Sequence, residues 1–154
     1  MLRDLGALRR DVALFPDDAT LWRTLPGVTN SAGNLALHIA GGLRYFIGAV
    51  LFGGSYVRDR DAEFTVRGLS RTEVTAAIDA AIDAVRMLDR LPVSRLEEAF
   101  PAAPGGAVLS TRAFVVHLVA HTGFHLGQVG YLRRALTQQT ANSGAMSVKE
   151  LSAT

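Results

Sequence analysis

Three of the four histidines fall within nine residues, in the stretch HLVAHTGFHLGQ that begins at residue 117. His117, His121 and His125 follow one another at four-residue intervals. On an α-helix this interval displaces side chains by about 6 Å along the axis and about 40° around it. Two such histidines can bind one metal ion, as in the HExxH motif of metalloproteases. The stretch therefore predicts a metal site, with hydrogen-bonded core histidines as the alternative.

Only two of these three histidines can bind the same ion. His117 and His125 lie about 12 Å apart along a helix axis, whereas a zinc–nitrogen bond is about 2.0–2.1 Å long. The spacing leaves open whether His121 pairs with His117 or with His125. The fourth histidine, His38, lies inside the apolar stretch NLALHIAGG, where an unpartnered imidazole is costly. His38 could supply a third ligand from a facing helix and leave one coordination position open, as in catalytic zinc sites.

A few polar or small residues would accompany these histidines on their helices. Asn34, Gly42 and Tyr45 share a helix face with His38, and Gln128 follows the last histidine of the motif by three residues. Gln128 could hydrogen-bond to a ligand imidazole or to a metal-bound water, and the Tyr45 hydroxyl could contact a substrate. The alternative is a structural role for each residue on the His38 face. Asn34 would lie near a helix cap, Gly42 would allow close helix packing, and Tyr45 would belong to the core.

Four helices are predicted to position the histidines. The first and third carry apolar residues at three- and four-residue steps, the second is apolar on most sides, and Ser110 or Thr111 can cap the fourth. Ser70 and Glu73 form the sequence pattern of a capping box before the third helix. The connector TLWRTLPGVTN contains a predicted turn at Pro26–Gly27. No run alternates as a strand would, so we expect an all-α four-helix bundle in residues 1–140, followed by a flexible tail, 141–154. The predicted helices are about 2–14, 31–52, 71–91 and 111–137.

Composition excludes several functions. The 154 residues are 49% hydrophobic and 19% charged, with a net charge of +2, so we expect a globular protein that does not bind nucleic acid. The chain has no cysteine, which excludes thiolate metal sites and a cysteine nucleophile. The stretch NLALHIAGGLRYFIGAVLFGG is long enough to span a membrane, but a central arginine costs about 2.5–3.5 kcal/mol there. We therefore expect a buried helix, no membrane and, because the first residues lack a signal-peptide core, a cytoplasmic location.

The stretches NLALHIAGGLRYFIG, RDRDAEF and HLVAHTGFHLGQVGYLRR resemble the DinB/YfiT-like superfamily, whose members are regarded as metalloenzymes. The resemblance covers about residues 5–137, the HxxxHxGQ signature is its most specific part, and RDRDAEF indicates an uncharacterised branch. It implies an up-down-down-up bundle, often a homodimer, with a divalent metal held by His38, His121 and His125. Relatives in this branch often carry asparagine where this chain has Gly42.

The resemblance also suggests an activity. Related enzymes include a mycothiol-dependent maleylpyruvate isomerase and transferases that use bacillithiol or mycothiol. We expect a metal-dependent enzyme of small molecules, a thiol-dependent S-transferase or isomerase, with a low-molecular-weight thiol as cosubstrate. All-imidazole ligation suits several metals; we expect zinc or nickel, with iron or manganese as alternatives. The competing hypotheses are a non-catalytic metal-binding stress or scaffold protein, and a bundle without metal.

The segment RDRDAEF allows two interpretations. Its charged residues could border the metal pocket, with Arg58 and Arg60 as substrate contacts. We favour a surface loop whose salt bridges each contribute little to stability. The charged residues concerned are Arg58, Asp59, Arg60, Asp61 and Glu63.

Overall fold

The computed structural model describes residues 1–141 and residue 143. The predicted tail, 141–154, lies almost entirely outside the described residues. Among those residues there is no β-strand, only an isolated bridge between Ala99 and Ser110. The helices are α1 (Leu2–Ala13), α2 (Asp18–Leu21), α3 (Ala32–Leu43), α4 (Arg60–Thr65), α5 (Arg71–Arg86) and α6 (Thr111–Thr137). A π-helical segment, Arg44–Leu51, continues α3, and 3₁₀ turns occupy Met87–Arg90, Val93–Leu96 and Pro104–Gly106.

Four long helices form the bundle, as the sequence predicts. Helix α1 packs between α5 and α6, and α3 also packs between α5 and α6. Helices α1 and α3, which follow each other in the chain as long helices, are thus diagonal partners and touch little. The predicted all-α class is confirmed, whereas the up-down-down-up order of helix directions stays a prediction.

The core consists of apolar residues from one face of each long helix. Burying each of these side chains stabilises the fold by about 1.5–3 kcal/mol. The central buried residues include Leu5, Leu8 and Val12 of α1, Leu35, Ile39 and Leu43 of α3, Val74, Ile78 and Val85 of α5, and Phe114, Leu118 and Val129 of α6.

The segment interpreted as a charged loop contains a helix, α4, so that interpretation is wrong for residues 60–65. Six residues are too few to show helical periodicity, and the helix is held by contacts outside itself. Asp59 caps α4 by accepting a hydrogen bond from the Ala62 amide at 2.9 Å. The buried Asn34 side chain donates from α3 to the carbonyl oxygens of Glu63 (2.9 Å) and Val66 (3.2 Å). Asn34 therefore fixes the position of α4 on α3.

A buried ion pair joins the first long helix to the last. The Arg133 Nε of α6 donates to the Asp11 carboxylate of α1 at 2.8 Å, and both side chains are buried. Nothing in the sequence distinguishes these two residues from surface charges. Their burial as a pair shows that α1 and α6 meet closely even at a polar position.

Helix α3 with its π-helical continuation, Ala32–Leu51, is long and apolar enough to cross a membrane by length and composition. However, 61% of its apolar stretch is buried inside the protein. This burial supports the sequence-based interpretation of a central bundle helix.

Candidate metal centre

Three histidines from two helices converge between α3 and α6. His38 of α3 and His121 and His125 of α6 each offer a ring nitrogen within 4.8 Å of the others. The Nε2 atoms of His38 and His121 are 3.2 Å apart. Two nitrogens bound to one tetrahedral zinc ion are about 3.3 Å apart, given bonds of about 2.05 Å. The distance between His38 and His121 therefore suits a shared divalent metal ion, and the His125 nitrogen lies within 4.8 Å of both.

His117 lies outside this cluster. Its ring is exposed, stacks on Phe114 with centroids 5.7 Å apart, and stands 5.9 Å from the His121 ring. The α6 face that turns toward α3 carries His121 and His125 together. Of the two pairings that helix spacing left open, the structure brings His121 and His125, rather than His117 and His121, to His38.

The two α6 histidines of the cluster are suited to binding a metal in the neutral form. Burial, together with the neighbouring His125, His38 and His117, lowers the pKa of His121 from its ordinary value of 6.5 to about 4. Burial also lowers the pKa of His125, against an opposing hydrogen bond to Gln128. A neutral imidazole keeps the lone pair that a metal needs.

Gln128 orients His125. The Gln128 Oε1 lies 2.7 Å from the His125 Nδ1, which donates to it when the proton is on that nitrogen. This tautomer leaves the Nε2 lone pair of His125 free for a metal. A hydrogen bond to the ring nitrogen that does not bind the metal fixes the orientation and the tautomer of a ligand histidine.

Glu63 of α4 orients the His38 ring, as Gln128 orients that of His125. Its Oε2 lies 2.9 Å from the His38 Nδ1, so a proton on Nδ1 leaves the His38 Nε2 free. Arg58 donates to both Glu63 oxygens, at 2.7 and 2.8 Å, in a bidentate pair. Burial opposes ionisation of Glu63, but the hydrogen bonds from His38 and Arg58 outweigh it and lower the pKa of that carboxyl.

The interpretation of RDRDAEF as solvated salt bridges is therefore wrong for the pair Arg58 and Glu63. The side chains of Arg58 and Glu63 are only 12% and 6% exposed. The sequence signal was present, since a bidentate partner for Arg58 lies five residues along the chain. It could not be recognised without knowing that α4 packs on α3.

A pocket of about 110 Å³ opens at the histidines. His38, His121 and His117 form part of its wall. Arg58 also covers Gly42, because its Nη2 lies 3.5 Å from where a Gly42 Cβ would be. The guanidinium thus occupies the space beside Gly42. Apolar side chains complete the lining, among them Phe46, Pro104 and Phe114.

Two residues predicted to contact a substrate lie away from the histidines. Tyr45 packs its ring against Phe46 at 5.0 Å and does not line the pocket. Arg60 is exposed, with its guanidinium 5.3 Å from the Phe64 ring centroid. The structure therefore groups Arg58, but neither Tyr45 nor Arg60, with the candidate ligands.

Gly41 makes room for the Glu63 carboxylate, so replacing it by alanine should disturb the site. A Cβ at Gly41 would lie 2.1 Å from the Glu63 Oε1. We expect Gly41→Ala to displace this carboxylate, to weaken metal binding about 10–100-fold and to destabilise the fold. Metal titration and urea unfolding measure both effects.

Gly123→Ala is the matched control, because nothing lies within 4 Å of a Cβ at that position of α6. There the ordinary helix preference should apply, and alanine should stabilise by up to about 1 kcal/mol. Equal stabilisation by both substitutions would contradict the close packing of Glu63 against Gly41.

The low pKa of His121 predicts how the metal-free protein responds to pH. Between pH 6.5 and about 4, the unfolded chain binds a proton at this residue that the folded chain does not. Stability should therefore fall as the pH is lowered through this window. Urea midpoints at pH 7.5 and 5.0 measure the effect. His121→Gln should reduce the difference, and an unchanged difference in that variant would contradict the assignment.

An all-α bundle with three histidines converging from two of its helices defines a class of helical proteins able to hold a divalent metal. The family model of the DinB superfamily matches residues 3–129, which include all three histidines and Gln128. The chain belongs to the DinB superfamily. No curated protein and no solved structure matches it.

Proposed function

We propose that this chain binds one divalent metal ion through His38, His121 and His125 and acts as a metal-dependent enzyme on small molecules. The observation that carries the proposal is the convergence of three ring nitrogens within 4.8 Å beside an open pocket. Membership of the DinB superfamily is compatible with it. Zinc and nickel suit the all-imidazole set, with iron or manganese as alternatives.

Each neighbouring side chain has a defined task in this proposal. Glu63 and Gln128 hold the tautomers of His38 and His125, as their hydrogen bonds indicate. Arg58 keeps Glu63 ionised through their bidentate pair and lines the pocket. Phe46 and Phe114 make part of the wall apolar. A bound ion would lower the pKa of a thiol or water in the open position.

The proposed reaction is a thiol-dependent S-transfer or isomerisation. A thiolate attacks an electrophilic carbon and forms a carbon–sulfur bond, while the thiol proton passes to solvent. In a transfer the leaving group departs with its electron pair, and in an isomerisation the sulfur leaves again after the carbon skeleton has rotated. The chain itself has no cysteine, so the sulfur must come from a low-molecular-weight thiol. The small pocket suits a thiol group at its inner end.

The competing function is metal binding without catalysis, in a stress or scaffold protein. The position of the histidines supports this alternative, because an ion bound between α3 and α6 would link the two helices and stabilise the bundle. This alternative requires bound metal and no turnover of any thiol.

The test uses tag-free protein. We expect stoichiometric metal by mass spectrometry, together with one of two metal-dependent reactions. A transferase consumes a thiol in the presence of an electrophile such as 1-chloro-2,4-dinitrobenzene, whereas an isomerase converts an activated cis-alkene such as maleate to its trans isomer and regenerates the thiol. The thiols to compare are cysteine, glutathione, mycothiol and bacillithiol. Metal without turnover across this panel would favour the non-catalytic alternative. Natively folded protein without stoichiometric metal would contradict both.

We also propose that two copies associate through the outward face of α6. No charged residue occurs between Arg112 and Arg133, although Val116 and Phe124 of this face are 62% and 64% exposed. An uncharged apolar face is complementary to itself across a two-fold axis. Light scattering should show a dimer that Phe124→Glu converts to a monomer. Val93→Glu, at another exposed apolar residue, should leave the dimer intact. A monomeric unmutated protein would contradict this association.

A further inference from the structure

A second cavity, of about 510 Å³, lies beside the histidines along α6. It shares no lining residue with the small pocket at the triad. Its α6 wall begins at Gln128, three residues or about 4.5 Å along the axis from His125. The opposite wall is the connection between α2 and α3, residues 25–30, and Leu35 of α3 lies at its base. The remaining α6 residues of the wall are Tyr131, Leu132 and Ala135.

Ordered elements form both walls of the cavity. In the connection, the Val28 amide donates to the Leu25 carbonyl at 2.9 Å, and Gly27 has a φ of +78°. With Pro26 before Gly27, this matches a type II turn, which requires a positive φ at that position. Leu35 and Leu132 are only 4% and 6% exposed, so their positions are fixed by the core.

The chemistry of the lining selects the kind of ligand. The cavity is open to solvent, since Tyr131 and Ala135 at its wall are exposed, and none of its lining residues is charged. A charged group of a ligand would therefore find no counter-charge in the lining. The polar groups available are the hydroxyls of Thr29 and Tyr131 and the carboxamide of Asn30. Gln128 adds a directed donor. Its oxygen is held by His125, and its amino group has no acceptor among residues 1–141 and 143.

We propose that this cavity binds an uncharged, mainly apolar small molecule, or the apolar body of a larger one, with a carbonyl-type oxygen that accepts from Gln128. A volume of about 510 Å³ falls within the range of about 300–1,000 Å³ that is typical of ligand pockets. Because Gln128 touches both the ligand and His125, such a molecule would lie next to the triad. That this molecule is the electrophilic substrate rests on the proposed function. The binding of such a molecule in the cavity does not.

The test compares three naphthalene probes of nearly equal shape: 1-naphthamide, 1-naphthoate and 1-naphthylmethylammonium. We expect 1-naphthamide to shift the amide resonances of Gly27, Thr29 and Ala135 in ¹H–¹⁵N spectra. The two charged probes should bind at least about tenfold more weakly, because the lining offers them no counter-charge. Equal binding of all three, or no binding of 1-naphthamide up to its solubility limit, would overturn the proposal.

A matched pair of variants locates the binding. Ala135→Phe should fill the cavity and weaken 1-naphthamide binding at least about tenfold. Ala113→Phe makes the same change at another exposed position of α6 and should have no effect. Binding that persists in Ala135→Phe would place the probe elsewhere and overturn the proposal.

Metal-free His121→Ala separates this inference from the proposed function. It should still bind 1-naphthamide, because His121 does not line the cavity. If this natively folded variant does not bind the probe, the proposal that the cavity binds its ligand independently of the metal site is wrong. Absence of metal or of thiol turnover in the unmutated protein would affect only the proposed function.

Discussion

His121→Ala is expected to abolish stoichiometric metal binding while leaving a folded bundle. Structural zinc binds four-ligand peptides with about 10–16 kcal/mol, so one ligand contributes roughly 3 kcal/mol or more, which is at least about 100-fold in affinity. His121 stands closest to His38, with Nε2 atoms 3.2 Å apart, and it is the ligand shared by both pairings that the sequence allowed. Metal content after dialysis, and competition with a chromogenic chelator, measure the loss.

His117→Ala is the matched control, because it removes a histidine one turn earlier on the same helix. His117 is exposed and lies outside the cluster of ligand atoms, so metal content should remain stoichiometric. Circular dichroism of both variants checks that the bundle is intact. If His117→Ala loses metal as completely as His121→Ala, the ligand set proposed here is wrong.

Glu63→Gln should be among the most destabilising conservative changes in the chain. It leaves the Arg58 guanidinium, whose side chain is 12% exposed, without its counter-charge. Breaking a buried ion pair costs about 3 kcal/mol or more, which for a chain of this size lowers Tm by roughly 6–12 °C. The same change loosens His38, so metal affinity should fall about 10–100-fold. Thermal unfolding and metal titration measure the two effects.

Two further variants test the cause. Asp79→Asn breaks a comparable but exposed pair, Arg9–Asp79, and should cost at most about 1 kcal/mol. The double variant Arg58→Met with Glu63→Gln removes both charges and should recover much of the stability lost in Glu63→Gln alone. A double variant less stable than Glu63→Gln would show that Arg58 does not act through this pair.

Apolar stripes and helix caps indicated the long helices. The predicted bounds match α1 and α6 to within one residue, and the capping box at Ser70 located the start of α5. The predicted end of the third helix, residue 91, is too late, because α5 ends at Arg86 and a 3₁₀ turn follows. The predicted helix 31–52 was correct in extent, but its second half, Arg44–Leu51, is π-helical. A π-helix has a wider turn than an α-helix, and the apolar composition of this segment does not indicate that difference.

The contacts around the histidines could be predicted only in part. Gln128 was found because a three-residue spacing on one helix is visible in the sequence. The sequence allows Glu63 either as a residue bordering the metal pocket or as a surface charge and favours the surface charge, because its contact with His38 depends on the packing of α4 against α3. The buried pair of Asp11 and Arg133 was missed for the same reason: two charges 122 residues apart carry no sign of their contact.

The position of α6 between α1 and α3 has a consequence for synthesis of the chain. His38 leaves the ribosome 83 residues before His121, or about 4–17 s earlier at about 5–20 residues per second. During that interval α3 can pack against α5, but its side facing α6 has no partner. Chains that end before α6 therefore expose apolar surface and are prone to aggregate. The histidine cluster forms only after α6 has been made, so bound metal would report that α6 has packed against α3.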